Sequence, residues 1–170
     1  MHLRQCDAVP LGAWCAGGGC DVAVVLASGA IDREVATARM RRIEDLVMRL
    51  EKRLPRVVRS RPDTDAWLAA EHLLEQAVRT ASRLAAQFVA AGALGAPESA
   101  AGMFACLGEK GWLPAPEAAG LVRLADAAER LADGSAAADP AALRVLLAGA
   151  PKLLRAFLRT AATRLGSTSE

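Results

Sequence analysis

A stripe of charged side chains runs along the segment 121-LVRLADAAERLAD-133. Its members recur at steps of three or four residues, so they share one face of a helix, opposite the leucines. They are Arg123, Asp126, Arg130 and Asp133. A guanidinium can hold a phosphate, but exposed ion pairs, each adding about 0.2–0.5 kcal/mol, have the same spacing. The spacing alone therefore favours a salt-bridged surface stripe over an active site.

Histidine, a frequent proton carrier in active sites, occurs only at positions 2 and 72. His72 falls within a long helical pattern, beside Glu71 and three residues before Glu75. Both carboxylates could contact the imidazole, but no serine or cysteine stands at a partner spacing suited to nucleophilic catalysis. The pattern predicts an ordinary helix histidine.

Three of the four cysteines crowd into the first twenty residues and the fourth stands alone. They are Cys6, Cys15, Cys20 and Cys106. This spacing matches neither a disulfide framework nor the paired ligands of a zinc site, and His2 does not complete such a site. The sequence therefore predicts reduced thiols, no metal site and no cofactor.

The overall composition is that of a single soluble domain without a dominant charge. The chain has 170 residues, 53% of them hydrophobic, and its 21 basic and 19 acidic residues leave a formal net charge of +2. Such a weak overall field does not indicate nucleic acid or an anionic membrane as partner. Positive charge is concentrated on the polar side of the first helix and in 56-RVVRSRP-62. That cluster could bind phosphates, although its pattern favours an ordinary solvated face.

Apolar runs are short throughout the chain. None approaches the roughly 20 residues that cross a bilayer, which predicts no membrane segment. The run 22-VAVVLA-27 is similar to a signal-peptide core, but Asp21 precedes it and Arg4 is the only basic residue upstream. Together with the reduced thiols, this predicts a cytoplasmic protein.

Helical periodicity begins after a loop-rich extension over residues 1–30. The predicted helices are 32–54, stopped by Pro55; a long one from Asp63 or Asp65 to Gly92; a short one after 95-GAPES-99; one opened by Pro114 and Pro116 and closed by Gly134; and one from Asp139 toward Leu165, kinked at Pro151. No segment after residue 30 alternates with a period of two. The predicted fold class is all-α: an antiparallel four-helix bundle over 31–166, with a short extra helix.

Four motifs follow one another in a distinctive order. They are 31-IDREVATARM-40, the turn 95-GAPES-99 that ends the long second helix, the short helix 104-FACLGEKGWL-113, and 139-DPAAL-143. In this order and spacing the chain resembles the HepT-type toxins of the HEPN superfamily over about 32–165.

The resemblance implies a homodimeric, metal-independent endoribonuclease paired with a minimal nucleotidyltransferase antitoxin. In such toxins the third long helix carries an arginine that stabilises the phosphate charge, a polar residue, and a histidine that transfers protons. These positions fall on Ala125, Asp126 and Arg130. The tyrosine that the partner modifies with AMP falls near Ala132, and the chain contains no tyrosine. The resemblance thus implies a degenerate ribonuclease site with no catalytic residue.

Three hypotheses follow. In the first, the protein is the HepT-like member of a toxin–antitoxin module, a cytoplasmic homodimer and pseudoenzyme that binds RNA or its nucleotidyltransferase partner through Arg123, Asp126 and Arg130. In the second, it is an active RNA-cleaving toxin with a displaced site, in which His72 or those three residues are recruited across the dimer. In the third, it is a helical scaffold that only mediates oligomerisation.

Overall fold

The computed structural model describes residues 31–57, 59, 64–133 and 140–167. These ranges contain five helices: α1 (Arg33–Val57), α2 (Asp65–Ala91), α3 (Ala100–Glu109), α4 (Ala115–Ala132) and α5 (Pro140–Ser167). They contain no strand, which confirms the all-α prediction for this part of the chain. The predicted extension 1–30 and the predicted helix boundaries at Asp63, Gly134 and Asp139 lie outside the described residues.

The prediction that Pro55 stops the first helix is wrong. The helix α1 continues through Pro55 and ends at Val57. Proline at this position removes the backbone hydrogen bond to the carbonyl of Glu51 and crowds the preceding turn, so the helix continues here at a cost. Val57 is fully buried, so continuing the helix three residues beyond the predicted end places an apolar side chain in the core.

Two of the predicted helix boundaries have clear local causes. The hydroxyl of Ser99 accepts a hydrogen bond from the backbone N–H of Gly102 at 3.0 Å, and this cap starts α3 directly after the predicted turn. At the C-terminal end of α2, Ala93 adopts a left-handed backbone with φ 49°, and the N–H of Leu94 donates to the carbonyl of Val89 at 3.0 Å, which ends the helix just after Gly92. Both boundaries agree with the sequence prediction.

One hydrophobic core joins all five helices. The apolar residues that recur with the helical period along α2 are all buried: Trp67, Leu74, Ala77, Val78, Ala81, Leu84, Ala85 and Phe88. α1 packs against α2 and α5, α2 also packs against α3, α4 and α5, and α4 packs against α3 and α5. The rings of Phe104 and Phe157 meet edge to face at 5.6 Å and 86°, which ties α3 to α5.

A close contact between α3 and α4 depends on a glycine. A Cβ atom at Gly108 would lie 2.5 Å from the Cβ of Ala118, which is itself buried. Since a Cβ position is fixed by the backbone, Gly108→Ala forces the two helices apart. We expect it to lower the free energy of unfolding by about 1–3 kcal/mol, measured by urea denaturation followed by circular dichroism.

Gly149 provides the matched control, because it lies inside α5 and a Cβ atom there would meet nothing within 4 Å. Gly149→Ala should raise the free energy of unfolding by about 0.5–1 kcal/mol through helix propensity alone. If Gly108→Ala were as well tolerated as this control, the close helix contact would be refuted.

Candidate functional site

The helix α4 has two distinct faces. On the predicted apolar side, Leu121, Leu124 and Ala128 are buried, whereas Leu131 is half-buried. Ala125 is buried with them at 2% exposure. The charged stripe lies on the other side, where Arg123, Arg130 and Asp133 are exposed and Asp126 is half-buried. The apolar face therefore belongs to the core, and the candidate binding residues face outward.

Arg123 and Asp126, the first two residues of this stripe, do not form the predicted ion pair. Within the described part of the chain, no ion pair closer than 4.0 Å joins Arg123 to Asp126. In this pair the cation precedes the anion, which is the less favourable order for the helix dipole, and the spacing is three residues. Both groups thus keep their hydrogen-bonding capacity toward solvent or a partner.

A groove of about 650 Å³ lies between α2, the start of α3 and α4. Its floor is apolar and built largely of short side chains, including Val78, Ala86, Met103, Ala125 and Ala128. Small side chains on the facing helices leave space that leucines would fill. This volume falls within the range of about 300–1,000 Å³ typical of small-ligand pockets.

The rim of the groove carries both signs of charge. Arg79 pairs with Glu75 on α2. The backbone carbonyl of Arg83 accepts a hydrogen bond from Nη1 of Arg39 at 3.1 Å, which anchors the start of α1 beside this edge. On the other sides, Glu98 and Glu129 are exposed. With cations and carboxylates both present, charge alone does not select an anionic or a cationic ligand.

The three positions matched to the ribonuclease motif do not meet in this groove. Ala125 lies on the floor, whereas Asp126 and Arg130 are absent from the lining. At about 100° per residue, Asp126 and Arg130 point about 100° and 140° away from Ala125 around the helix axis. The side chain that reaches the groove is thus a methyl group, and the guanidinium of Arg130 belongs to the outer face.

His72 lies on α2 beside the groove, with 69% of its side chain exposed. Its Nδ1 is 3.9 Å from Oε2 of Glu75, a carboxylate that also pairs with Arg79. Its other predicted neighbour, Glu71, accepts a hydrogen bond from Nε1 of Trp67 at 2.6 Å. Both carboxylates therefore have other partners, and neither is dedicated to orienting the imidazole as a catalytic base requires.

Nothing in the described ranges has the composition of a metal site, since no group of three histidine, cysteine, aspartate or glutamate side chains is close enough to hold an ion there. Cys106 is a free thiol whose Sγ donates to the carbonyl of Leu94 at 3.4 Å.

Among the five helices, none combines the length and apolar character needed to cross a membrane.

Sequence reasoning missed the groove. The signal was present in the alanines of α2 and α4, but alanine is abundant throughout the chain and its spacing alone does not distinguish a groove from close helix packing.

Comparison with protein-family models, curated proteins and solved structures finds no match for this chain. The site therefore has to be interpreted from its own geometry.

Proposed function

We propose that this chain is a HepT-like protein of a toxin–antitoxin module that binds its partner and no longer cleaves RNA. In this proposal it is a cytoplasmic homodimer, and its partner is a minimal nucleotidyltransferase antitoxin. The observation that carries the proposal is the outer face of α4, where Arg123 and Arg130 are exposed, with Asp126 half-buried between them and no imidazole.

The arrangement of the helices supports the HEPN-like bundle that the resemblance implies. We propose that α1, α2, α4 and α5 form an antiparallel four-helix bundle, with α3 as the short extra helix. Neighbouring helices in this ring are in contact: α1 with α2, α2 with α4, α4 with α5, and α5 with α1. The hydrogen bond from Arg39, near the start of α1, to Arg83, near the end of α2, fits opposite directions of these two helices. Arg155 joins α5 to Glu44 and Glu51 of α1.

The residues at the motif positions support loss of cleavage. RNA cleavage by a ribose hydroxyl requires proton transfer and stabilisation of the charged phosphate. The buried methyl group of Ala125 supplies neither. Arg130 offers a guanidinium that stays protonated near neutral pH, so it can hold a phosphate but cannot act as a base.

The exposed stripe of α4 supports a binding role. Arg123 and Asp126 form no ion pair with any described residue. The guanidinium of Arg123 can donate hydrogen bonds to a partner and the carboxylate of Asp126 can accept them. Because the two groups carry opposite charges on one helix turn, they favour one orientation of the bound partner. We assign Arg123, Asp126 and Arg130 to this contact.

The first test is whether the gene beside this one encodes a minimal nucleotidyltransferase, as the proposal expects; the second is co-expression of the two proteins, followed by calorimetry. We expect a stable complex, and a mass in sedimentation equilibrium of the free protein that is about twice the 17.7 kDa of one chain. Arg123→Glu should weaken the complex by about tenfold or more, because it places a carboxylate opposite a surface that receives a cation.

Lys110→Glu is the matched control: it makes the same charge reversal at an exposed position just after α3, and should leave affinity within about twofold. A neighbouring gene of another kind, or no complex with the nucleotidyltransferase, would refute the proposed function. An equal loss of affinity in both variants would show that the contact does not lie on α4.

The accessibility of His72 keeps an active ribonuclease as the second candidate. Its imidazole is largely exposed, so a second subunit could bring it to Asp126 and Arg130. RNA cleavage distinguishes this candidate from the first.

A further inference from the structure

The outer face of α1 is strongly basic. Arg41, Arg42, Arg49, Lys52 and Arg53 are all exposed on this helix. At about 100° per residue they fall within about 120° of one another around the axis, and at about 1.5 Å per residue they extend over about 18 Å. A chain with a net charge of only +2 thus collects five cations on one side of one helix.

The acids of α1 do not cancel this charge. Asp45, the acid among these cations, lies between Arg42 at 3.4 Å and Arg49 at 3.0 Å, so one carboxylate is shared by two guanidinium groups. Arg41, Lys52 and Arg53 form no ion pair with any described residue. The face therefore retains an excess of four positive charges.

The other two acids in this part of α1 are occupied by a cation from α5. Arg155 binds Glu51 through both ends of its guanidinium, with Nη2 2.9 Å from Oε2, and its Nε is 3.3 Å from Oε1 of Glu44. The pKa of Arg155 is raised above its ordinary value. The hydrogen bond to Glu51 is the largest cause and Glu44 adds to it, while burial acts in the opposite direction. These two carboxylates are thus held at the α1–α5 junction, where Arg155 neutralises one of their two charges.

The basic face continues across this junction onto α5. Lys152 and Arg159 are exposed and lie about one turn before and after Arg155. Because Arg155 contacts α1 directly, these two cations flank the same junction. We define the α1–α5 basic face as the five α1 cations together with Lys152 and Arg159.

We propose that the α1–α5 basic face binds the phosphate backbone of a double-helical nucleic acid without reading its bases. Duplex DNA carries about one charge per 1.7 Å of axis, so a patch of cations about 18 Å long on one side of a helix meets several phosphates at once. None of the residues of the face is aromatic, and single strands are usually bound by stacking their bases on aromatic rings. The proposal is separate from the α4 contact and does not depend on it.

A membrane surface fits this face less well. Helices that lie in a bilayer interface insert their own apolar side. In α1 that side includes Ile43, Leu46 and Leu50, all buried against the other helices. The exposed large apolar side chains of α1 are limited to Val35 and Met48 within the described residues. Without an apolar side to insert, the face offers charge alone, which suits a phosphate backbone.

The test is fluorescence anisotropy of the full chain with labelled duplexes of about 20 base pairs, in RNA and DNA forms, between about 50 and 200 mM salt. We expect both duplexes to bind, single strands to bind more weakly, and affinity to fall by on the order of a hundredfold across this range. The triple variant Arg41→Gln, Lys52→Gln, Arg53→Gln should weaken binding by about tenfold or more at low salt. Its plot of log affinity against log salt should be less steep by about 2–3.

A matched triple variant, Arg79→Gln, Arg83→Gln, Lys110→Gln, removes the same charge from exposed positions elsewhere. It should retain affinity within about threefold. Equal loss in both triples, or tighter binding to single strands or to anionic lipid vesicles than to duplexes, would overturn the proposal. So would a larger loss from Arg123→Gln with Arg130→Gln, which would place nucleic acid on α4. Unchanged thermal melting of each variant establishes that folding is intact.

Discussion

Replacing Phe157 by alanine should lower the free energy of unfolding by about 3–5 kcal/mol, the usual cost of deleting a buried aromatic ring. Phe157 is 1% exposed and packs edge to face against Phe104. The lost ring removes apolar burial and leaves a cavity between α3 and α5 that rigid helices refill only partly. Urea denaturation monitored by circular dichroism measures the change.

An exposed position on the same helix provides the control. Thr163→Ala removes a hydroxyl that bonds to the carbonyl of Arg159 one turn earlier, and should change stability by less than about 0.5 kcal/mol. Phe104→Ala, alone and combined with Phe157→Ala, completes a cycle in which the two rings should couple by about 0.5–1.5 kcal/mol. A loss below about 1 kcal/mol for Phe157→Ala would mean that α5 does not close the core at this point.

The sequence predicts the helices of this protein well because their apolar residues repeat with the helical period. The α2 stripe from Trp67 to Phe88 is buried throughout, and the turn before α3 is capped by Ser99 as its residue types indicate. The end of α1 was mispredicted for the opposite reason. Proline is a local signal, whereas the burial of Val57 is set by distant residues.

The candidate sites are less accessible to sequence reasoning because they depend on contacts between helices. The groove needs α2, α3 and α4 packed together, and the same alanines would fit equally well in a close helix contact. Sequence periodicity identifies the arginines on one face of α1. It does not show which acids neutralise them, because the pairing of Arg155 with Glu51 joins residues 104 positions apart. Ala125 and Arg130 lie in opposite environments, one buried and one exposed, and this difference appears only in the folded chain.

The purified protein should leave RNA intact in the presence of EDTA. Removing a proton-transferring group typically costs a factor of about 10²–10⁴ in rate, and removing a donor that stabilises the transition state costs about 10²–10³. In the proposed function both groups are missing from α4, because the resemblance to HepT-type toxins matches their positions to Ala125 and Arg130. The measurement is gel electrophoresis of a labelled structured RNA, with a known ribonuclease as positive control and buffer as the baseline that the protein should match.

If RNA is cleaved, two variants distinguish a displaced site in this protein from a contaminating nuclease. His72→Ala removes the exposed imidazole on α2, and Arg130→Ala removes the guanidinium on α4. A contaminating nuclease would persist unchanged in both preparations. Cleavage lost in either variant would instead establish a displaced site that uses these side chains, because neither is buried and neither substitution should unfold the core. That result would refute the non-cleaving proposal while leaving the nucleic-acid face on α1 and α5 to its own test, since the two rest on different helices and different side chains.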